Sequence, residues 1–171
     1  HGSTWLLVYV DDMLVVGQHL SAVNAAKHAL LQHFEGRDLG EAQCFLGQQI
    51  SRDRARCTLT VHQQQHTEAL VHKFGMQNCK PNTVPISSST RLHSAPQQHE
   101  QQPQHLSTVY SQLVGSLLYL STCTRPDIAH AAGLLSRFMS APTAQHLCTA
   151  KSVVRYLAGT AHFGLCYGTS M

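Results

Sequence analysis

Several patterns that define other classes of protein are missing from this chain of 171 residues. Its six cysteines are scattered and form no C-x-x-C pair, which argues against a zinc knuckle and a disulfide scaffold and predicts reduced thiols. No apolar run approaches the ~18 residues that a membrane span needs, and no basic segment precedes a signal-like core, so we expect no membrane partner. The hydrophobic content of 43% is enough for a core and indicates a globular chain.

Histidine is plentiful, with 13 residues, and raises the question of a metal site. His62 and His66 stand four residues apart, where a helix would place both on one face. The glutamine-rich segment around them offers no obvious third ligand, so we do not expect a metal ion there.

Lysine and arginine are absent from His1 to Ala26, although this segment contains the adjacent acids Asp11 and Asp12. The stretch LLVYVDDMLVVG, residues 6–17, places the two acids between apolar runs whose composition is typical of buried strands. Two such runs separated by two residues predict a β-hairpin with the acids at its turn.

A tight turn is one interpretation of the acid pair, because aspartate accepts bonds from nearby backbone N–H groups and tolerates left-handed backbone. Two like charges about 4 Å apart, however, repel by roughly 4 kcal/mol at an effective dielectric near 20. Carboxylate oxygens are also the ligands that Mg²⁺ prefers, commonly together with substrate phosphates and water. We therefore favour metal ligation by Asp11 and Asp12 over a turn without further function.

Charge is divided unevenly along the chain. Residues 1–53 carry three basic and six acidic side chains, a net charge of −3, whereas residues 54–171 carry nine basic and three acidic ones, a net charge of +6. This division predicts a metal-binding part followed by a part suited to phosphate groups.

Periodicity predicts an α+β fold in which hairpins are followed by helices. Ser21 is the expected N-cap of a helix that follows the first hairpin and ends at Gly36. A Pro-, Gln- and Ser-rich stretch from Lys80 to His105 lacks the composition to bury a core and predicts a mobile linker. The remaining predicted elements are strands over Cys44–Ile50 and Arg56–Val61, a helix over Gln63–Phe74, and a bundle of three helices over Ser107–Ser121, Pro126–Met139 and Thr143–Leu157.

Lys151 and Arg155 lie four residues apart on the last predicted helix, beside its apolar stripe. A solvated helix face is one interpretation of the pair, and contact with a nucleic-acid backbone is the other. For Arg125, Pro126 and Asp127 we favour a structural role at a helix start, because proline fits the first turn and aspartate complements the helix dipole.

The sequence YVDD, residues 9–12, resembles the Tyr/Phe-x-Asp-Asp motif of the catalytic hairpin in the reverse transcriptase palm. Downstream, HFEGRDLGEAQCFLGQQI is similar to the Phe-x-x-x-Asp-Leu-Gly and Phe-Leu-Gly-x-x-Ile segments of copia-type retrotransposon polymerases. Further landmarks keep the family order, and the chain is identified as a member of this family from the following three segments: KFGMQNCKPNTVPI, YSQLVGSLLYLSTCTRPDIAHAAGLLSRFMSAP and HLCTAKSVVRYLAGTAHFGLCYG.

The resemblance implies a partial polymerase palm followed by a helical thumb and connection bundle. On this interpretation residues 1–61 are the last part of the palm with the YVDD hairpin, and residues 62–79 begin the thumb. Residues 80–106 form the flexible linker, and residues 107–171 form the helical thumb and connection region.

The resemblance also implies roles for the hairpin. Asp11 and Asp12 would be the catalytic carboxylates and would bind Mg²⁺, for which Mn²⁺ can substitute, in a two-metal mechanism. Tyr9 would contact template or primer, and Val10 would lie where the minor groove passes. Lys151 would belong, with its neighbour Arg155, to the nucleic-acid contacts.

The function implied is that of a piece of an RNA-directed DNA polymerase from a Pol polyprotein. Its partners would be an RNA or DNA template with primer, deoxynucleoside triphosphates, and the fingers upstream and RNase H domain downstream. The family's third carboxylate would precede His1, so we expect no polymerisation by this chain alone. Two alternatives stay open: a catalytically dead nucleic-acid-binding relic, or a structural piece of a polyprotein. The expected location is cytoplasmic, in the retrotransposon particle, with the nucleus as the alternative.

Overall fold

The computed structural model describes residues 2–94 and 104–168 and divides the chain into two compact units, His1–Leu46 and Gly47–Met171. Helices and antiparallel strands occupy separate stretches of the chain, which confirms the predicted α+β class. The four domains inferred from the resemblance stay a prediction.

The first unit is built on an antiparallel hairpin of β1 (Thr4–Tyr9) and β2 (Asp12–Gly17), as predicted. The turn differs from the prediction by one residue. Tyr9 pairs with Asp12, so the loop is Val10–Asp11 and Asp12 is the first residue of β2. The two acids therefore have different environments, one in the turn and one in the strand.

Helix α1 (Leu20–His33) packs against this hairpin where Gly17 allows a close approach. A Cβ at Gly17 would lie 2.9 Å from Cγ2 of Val23, which is too close for any larger residue without a shift. The predicted N-cap Ser21 was wrong, because the N-cap is His19 and its side chain makes no capping hydrogen bond. The short strand β3 (Cys44–Phe45) completes the regular structure of this unit.

The apolar runs of the hairpin predicted buried strands, and in this respect the prediction was wrong. No residue from 2 to 46 is fully buried. Trp5 is 72% exposed and Leu7 54% exposed, because α1 alone is too small to cover the hairpin. The described residues of this unit therefore form no fully buried core.

The second unit contains β4 (Gln48–Asp53), β5 (Thr58–His62) and β6 (Gly164–Gly168), which are neighbouring antiparallel strands of one sheet. The chain runs through the helices before β6 joins β5. The predicted strand over Cys44–Ile50 is interrupted, because Leu46 and Gly47 have φ angles of +51° and +75° that no strand accommodates. At the next turn, Asp53 Oδ1 accepts hydrogen bonds from the backbone N–H groups of Ala55 and Arg56 at 3.0 and 3.1 Å, and β5 starts after it.

Five helical segments form the rest of the unit. The predicted helix after β5 is observed as α2 (Gln64–Lys73), with Gly75 just beyond its end at a φ of +65°. The helix predicted over Pro126–Met139 is divided into a 3₁₀ turn and α4. The observed bundle comprises α3 (Gln104–Cys123), the turn Pro126–Ile128, α4 (Ala129–Ser136) and α5 (Ala144–Gly159). Helices α3 and α5 correspond to the helices predicted over Ser107–Ser121 and Thr143–Leu157.

The hydrophobic core lies among these helices. Leu113 and Leu117 of α3, Leu135 of α4, and Val153 and Leu157 of α5 are completely buried. These residues recur at the helical spacing that predicted the bundle, so each helix buries one face. None of the described helices is long and apolar enough to cross a membrane. All six cysteines are free, in agreement with the expected reduced thiols, and none of them is buried.

Part of the predicted linker, residues 95–103, lies outside the described residues. The preceding segment is tied to α5 by several hydrogen bonds, four of them near its start. Asn82 Nδ2 donates to Ser152 Oγ at 2.7 Å and to the Ser152 carbonyl at 3.1 Å, the Asn82 N–H donates to the Arg155 carbonyl at 3.3 Å, and Arg155 Nε donates to the Lys80 carbonyl at 2.8 Å. Ile86 and Leu92 pack against the helical core. The mobility expected of the whole stretch stays a prediction.

Two of the buried polar side chains, Arg125 and His146, make hydrogen bonds that connect the helical segments to their neighbours. Arg125, which is 1% exposed, forms an ion pair with Asp127 at 2.7 Å and also donates to the carbonyl and hydroxyl of Thr160. His146 closes a capping box with Thr143 at the start of α5: its Nδ1 accepts from the Thr143 N–H at 2.9 Å, and its own N–H donates to Thr143 Oγ1. Pro126 and Asp127 lie in the first turn of the 3₁₀ segment, which confirms the helix start predicted there.

Candidate functional site: the hairpin tip

The first unit presents a strained tip between β1 and β2. Val10 has a φ of +51°, in the left-handed region that β-branched residues seldom adopt. A positive φ at the first loop residue alone is the pattern of a type II′ turn, which favours glycine there. Such a conformation costs on the order of 1–3 kcal/mol and is concentrated at functional sites. The strain at Val10 is a local signal of function that the hairpin prediction did not include.

Both acids of the tip are exposed. No described residue forms an ion pair or hydrogen bond with the carboxylate of Asp11 or Asp12. Lys27, the basic residue nearest in sequence, is paired instead with Asp38, at 2.9 Å. Two unpaired carboxylates on adjacent residues therefore face solvent at the end of a hairpin.

These carboxylates fit a hard divalent cation, because Mg²⁺ is commonly held by one or two carboxylates together with water and phosphate oxygens. They would form only part of a coordination shell. Among residues 2–94 and 104–168, no group of three or more histidine, cysteine, aspartate or glutamate side chains is placed to hold a metal ion. Water, substrate or a further polypeptide would have to supply the other ligands.

The other two predicted residues of the tip are accessible as well. Tyr9 is 58% exposed and Val10 79% exposed. The hairpin thus brings four of the six predicted site residues together within one turn and its first strand pair.

Lys151 and Arg155 belong to the second unit, one turn apart on α5. Lys151 is exposed, and no described residue forms an ion pair with it. Arg155 is half-buried, and its Nε holds the Lys80 carbonyl. The two residues are therefore not equivalent: Lys151 is accessible to a ligand, whereas Arg155 is partly committed to holding the segment before it. No local pattern reveals this contact, because Lys80 and Arg155 are separated by 75 residues.

The sequence that contains the tip matches a known protein family. The family model described as "Reverse transcriptase (RNA-dependent DNA polymerase)" matches residues 1–88, which is just over half of the chain. The chain belongs to this family.

Individual relatives are proteins of transposons. The chain is 40% identical over 167 residues to the retrovirus-related Pol polyprotein from transposon TNT 1-94 of Nicotiana tabacum, a match that covers 96% of the chain and 13% of that protein. It is 37% identical to the Pol polyprotein from transposon RE1 of Arabidopsis thaliana, over 94% of the chain and 10% of the relative. A putative transposon Ty5-1 protein of Saccharomyces cerevisiae is 31% identical, over 97% of the chain and 52% of the relative.

These relatives confirm the resemblance to copia-type Pol polyproteins. The chain spans about an eighth of the tobacco polyprotein that it matches. No solved structure gives a significant match to the chain.

Proposed function

We propose that this chain carries the catalytic hairpin of an RNA-directed DNA polymerase from a copia-type element. The observation that carries the proposal is the pair of exposed, unpaired carboxylates on the strained tip, in a chain that belongs to the reverse transcriptase family. Asp11 is the principal metal ligand, and Asp12 is a weaker ligand or an electrostatic support. The cation is Mg²⁺, and Mn²⁺ can replace it.

The metal ions, when bound, would neutralise phosphate charge and assist the displacement of pyrophosphate from the incoming nucleotide. The chain's own residues contribute position. The hairpin holds the two carboxylates next to the exposed ring of Tyr9, which contacts template or primer. Val10 projects where the minor groove passes. Catalysis of this kind depends mostly on positioning and electrostatic stabilisation.

The second unit would hold the nucleic acid. It carries ten basic and four acidic side chains, a net charge of +6, and Lys151 presents an accessible charge on α5. Arg155 adds a further positive charge beside Lys151. Lysine and arginine contacts to phosphates supply sequence-independent affinity that falls with salt.

The proposed partners are an RNA or DNA template with primer, deoxynucleoside triphosphates, and the fingers and RNase H regions of a Pol polyprotein. The proposed location is cytoplasmic, in the retrotransposon particle, with the nucleus as the alternative. The tip supplies two carboxylates, and no third described acid joins them in a group that could hold a metal ion. On this proposal the remaining ligands come from additional polypeptide, and we expect no polymerisation by the chain alone.

The first test measures metal binding by the chain itself. Electron paramagnetic resonance of added Mn²⁺ should show one site whose affinity falls at least about tenfold in Asp11→Asn and less in Asp12→Asn. Glu68→Gln is the matched control, because Glu68 is an exposed acid on α2. Equal Mn²⁺ binding by Asp11→Asn and Glu68→Gln would contradict the assignment of the metal ligands.

The second test measures catalysis in a chimera. This chain replaces the matched region of the tobacco Pol polyprotein, to which it is 40% identical, and primer extension is followed on an RNA template. Extension that requires Mg²⁺, is lost in Asp11→Asn and survives Glu68→Gln is the expected result. A chimera that binds primer–template but never extends it would favour the nucleic-acid-binding relic instead. That alternative rests on the positive charge of the second unit, and its binding would survive Asp11→Asn without Mg²⁺.

A further inference from the structure

The two faces of the sheet formed by β4, β5 and β6 carry different side chains. In antiparallel pairs, residues directly opposite each other project to the same face of the sheet. The register places Arg52, Leu59 and Tyr167 in one cross-strand row. A second row on the same face, two residues along, is formed by Ile50, Val61 and Leu165. We call these six residues the aromatic face.

The opposite face is mainly polar. Its rows consist of Gln49, His62 and Gly164, of Ser51, Thr60 and Cys166, and of Asp53, Thr58 and Gly168. The two faces of these strands therefore differ only in the side chains that they present.

The aromatic face is not part of the helical core. No residue of β4, β5 or β6 is among the buried residues of that core or among the described side chains that pack against it. Tyr167 is 55% exposed, and its hydroxyl makes no hydrogen bond to a described residue. Arg52 is exposed, and no described acid pairs with it. Arg52 and Tyr167 therefore lie on either side of Leu59, with their backbones about 10 Å apart across two strand spacings.

The charge at this end of the sheet favours an anionic ligand. The turn between β4 and β5 adds Arg56, whose contact with Asp53 is long, at 3.8 Å. The other oxygen of Asp53 is occupied by the backbone of the turn. Because Asp53 projects to the opposite face, Arg56 is drawn there, and the positive charge in the rows of the aromatic face is that of Arg52. Arg52 and the exposed ring of Tyr167 on one face are the combination with which proteins hold single-stranded nucleic acid.

We propose that the aromatic face binds an unpaired stretch of nucleic acid, with a base stacked on the ring of Tyr167 and a phosphate held by Arg52. The inference rests on the proposed function, because it supplies that polymerase with a contact for a single strand. It adds a surface to which β6 contributes, and β6 lies outside the residues matched by the family model, 1–88. Paired bases cannot stack on the ring, so a duplex should bind this face more weakly than a single strand.

Fluorescence anisotropy of a labelled oligodeoxythymidine strand, titrated with the whole chain, tests the stacked base. Tyr167→Ala should weaken binding by about tenfold, within the range measured for one stacked base. Tyr167→Phe should bind within about twofold of the unaltered chain, because the ring is retained. Cys166→Ser is the matched control, since Cys166 is exposed on the same strand and projects to the opposite face. Equal binding by Tyr167→Ala and Cys166→Ser would overturn the proposal.

The salt dependence of the same titration tests the phosphate contact. Arg52→Gln should reduce the slope of log K against log salt concentration by about 0.7, the value for one phosphate contact on a single strand. Arg137→Gln removes the same charge from an exposed position after α4 and should leave the slope unchanged. A reduction of the same size in both variants would show that Arg52 acts only through net charge, and the contact would be withdrawn.

Photocrosslinking of an iododeoxyuridine strand to the unaltered protein removes any dependence on the folding of variants. The expected adduct lies in the peptide that contains Gly164–Gly168. Adducts confined to α5, or no binding of a single strand at all, would overturn the proposal while leaving primer extension and its dependence on Asp11 as a separate result. Loss of the Asp11 dependence with the Tyr167 adduct retained would instead refute the proposed polymerase and keep the single-strand contact.

Discussion

Asp127→Asn is the substitution for which the structure supports the most detailed prediction. The Asp127 carboxylate accepts two hydrogen bonds from Arg125, at 3.0 and 2.7 Å, and one from the Tyr156 hydroxyl at 2.8 Å. The Arg125 side chain is only 2% exposed, whereas that of Asp127 is 33% exposed. Asparagine keeps the shape of the side chain but leaves a buried guanidinium without a counter-charge.

Breaking a buried ion pair by removing one partner costs about 3–5 kcal/mol. We expect a value near the lower end, about 3 kcal/mol, because water reaches a third of the Asp127 side chain and the two Thr160 oxygens still accept from Arg125. A loss of this size lowers the melting temperature of a domain of this size by about 10 °C. Far-ultraviolet circular dichroism during thermal and urea unfolding measures it, since most of the helices belong to the second unit.

Asp53→Asn is the matched control for this measurement. Its ion pair with Arg56 is exposed and long, at 3.8 Å, so its loss should cost less than about 1 kcal/mol. The double variant Arg125→Met with Asp127→Asn should recover part of the loss, because it leaves no buried charge unpaired. If Asp127→Asn were no less stable than Asp53→Asn, the reasoning from burial would be refuted.

The pH dependence of this variant follows from the same contacts. Burial raises the pKa of Asp127, but the hydrogen bonds from Arg125 and Tyr156 outweigh burial and hold the pKa below its usual value. The stabilisation is therefore present above the unfolded pKa, near 3.9, and is lost as pH falls through the lower folded pKa. Acid titration below about pH 4 should erode the stability difference between the unaltered chain and Asp127→Asn.

Two further predictions concern His146 at the start of α5 and Val10 at the hairpin tip. Burial lowers the pKa of His146, with a smaller opposing effect of the His93 backbone, so stability should decline as pH falls below the unfolded pKa of about 6.5. His146→Ala should lose at least about 2 kcal/mol, because the capping box is lost and a fully buried ring that stacks on Phe138 is removed. His146→Gln should lose less, because glutamine can also accept from the Thr143 N–H, and urea unfolding at pH 8 and pH 5 measures both. Val10→Gly should remove about 1 kcal/mol of backbone strain and slow hydrogen exchange of the β1–β2 amides, and unchanged or faster exchange would contradict the strain at the tip.

The hairpin shows how far local pattern carries and where it fails. Two apolar runs with a short polar break predict paired strands, because alternation and turn spacing are local properties. The turn itself was displaced by one residue, since valine is not a residue that turn preferences place at a positive φ. The exposure of Trp5 and Leu7 was missed for another reason: composition predicts that apolar side chains need cover, and not which part of a chain supplies it.

The helical bundle shows the same difference between features that are local in sequence and contacts between distant residues. The spacing of apolar residues predicted the bundle, and Pro126 at the first turn predicted a helix start. The network around Arg125 was not predicted, because its partner Thr160 is 35 residues away and arginine is usually a surface residue. The aromatic face was missed too, since it requires β6 to pair with β5 from more than a hundred residues away.

The sequence by itself determined the family, the hairpin with its two acids, and the order of the predicted strands and helices as far as α5, because motifs and periodicity are written in neighbouring residues. Strand β6 was not predicted. Only the tertiary structure decided that Arg155 is committed to the Lys80 carbonyl, that Arg125 is buried with Asp127, and that Tyr167 joins Arg52 on one face. Each of the three depends on which distant segments meet when the core of the helices is buried. That selection is made by packing and by the satisfaction of buried polar groups over the whole chain, which no local stretch contains.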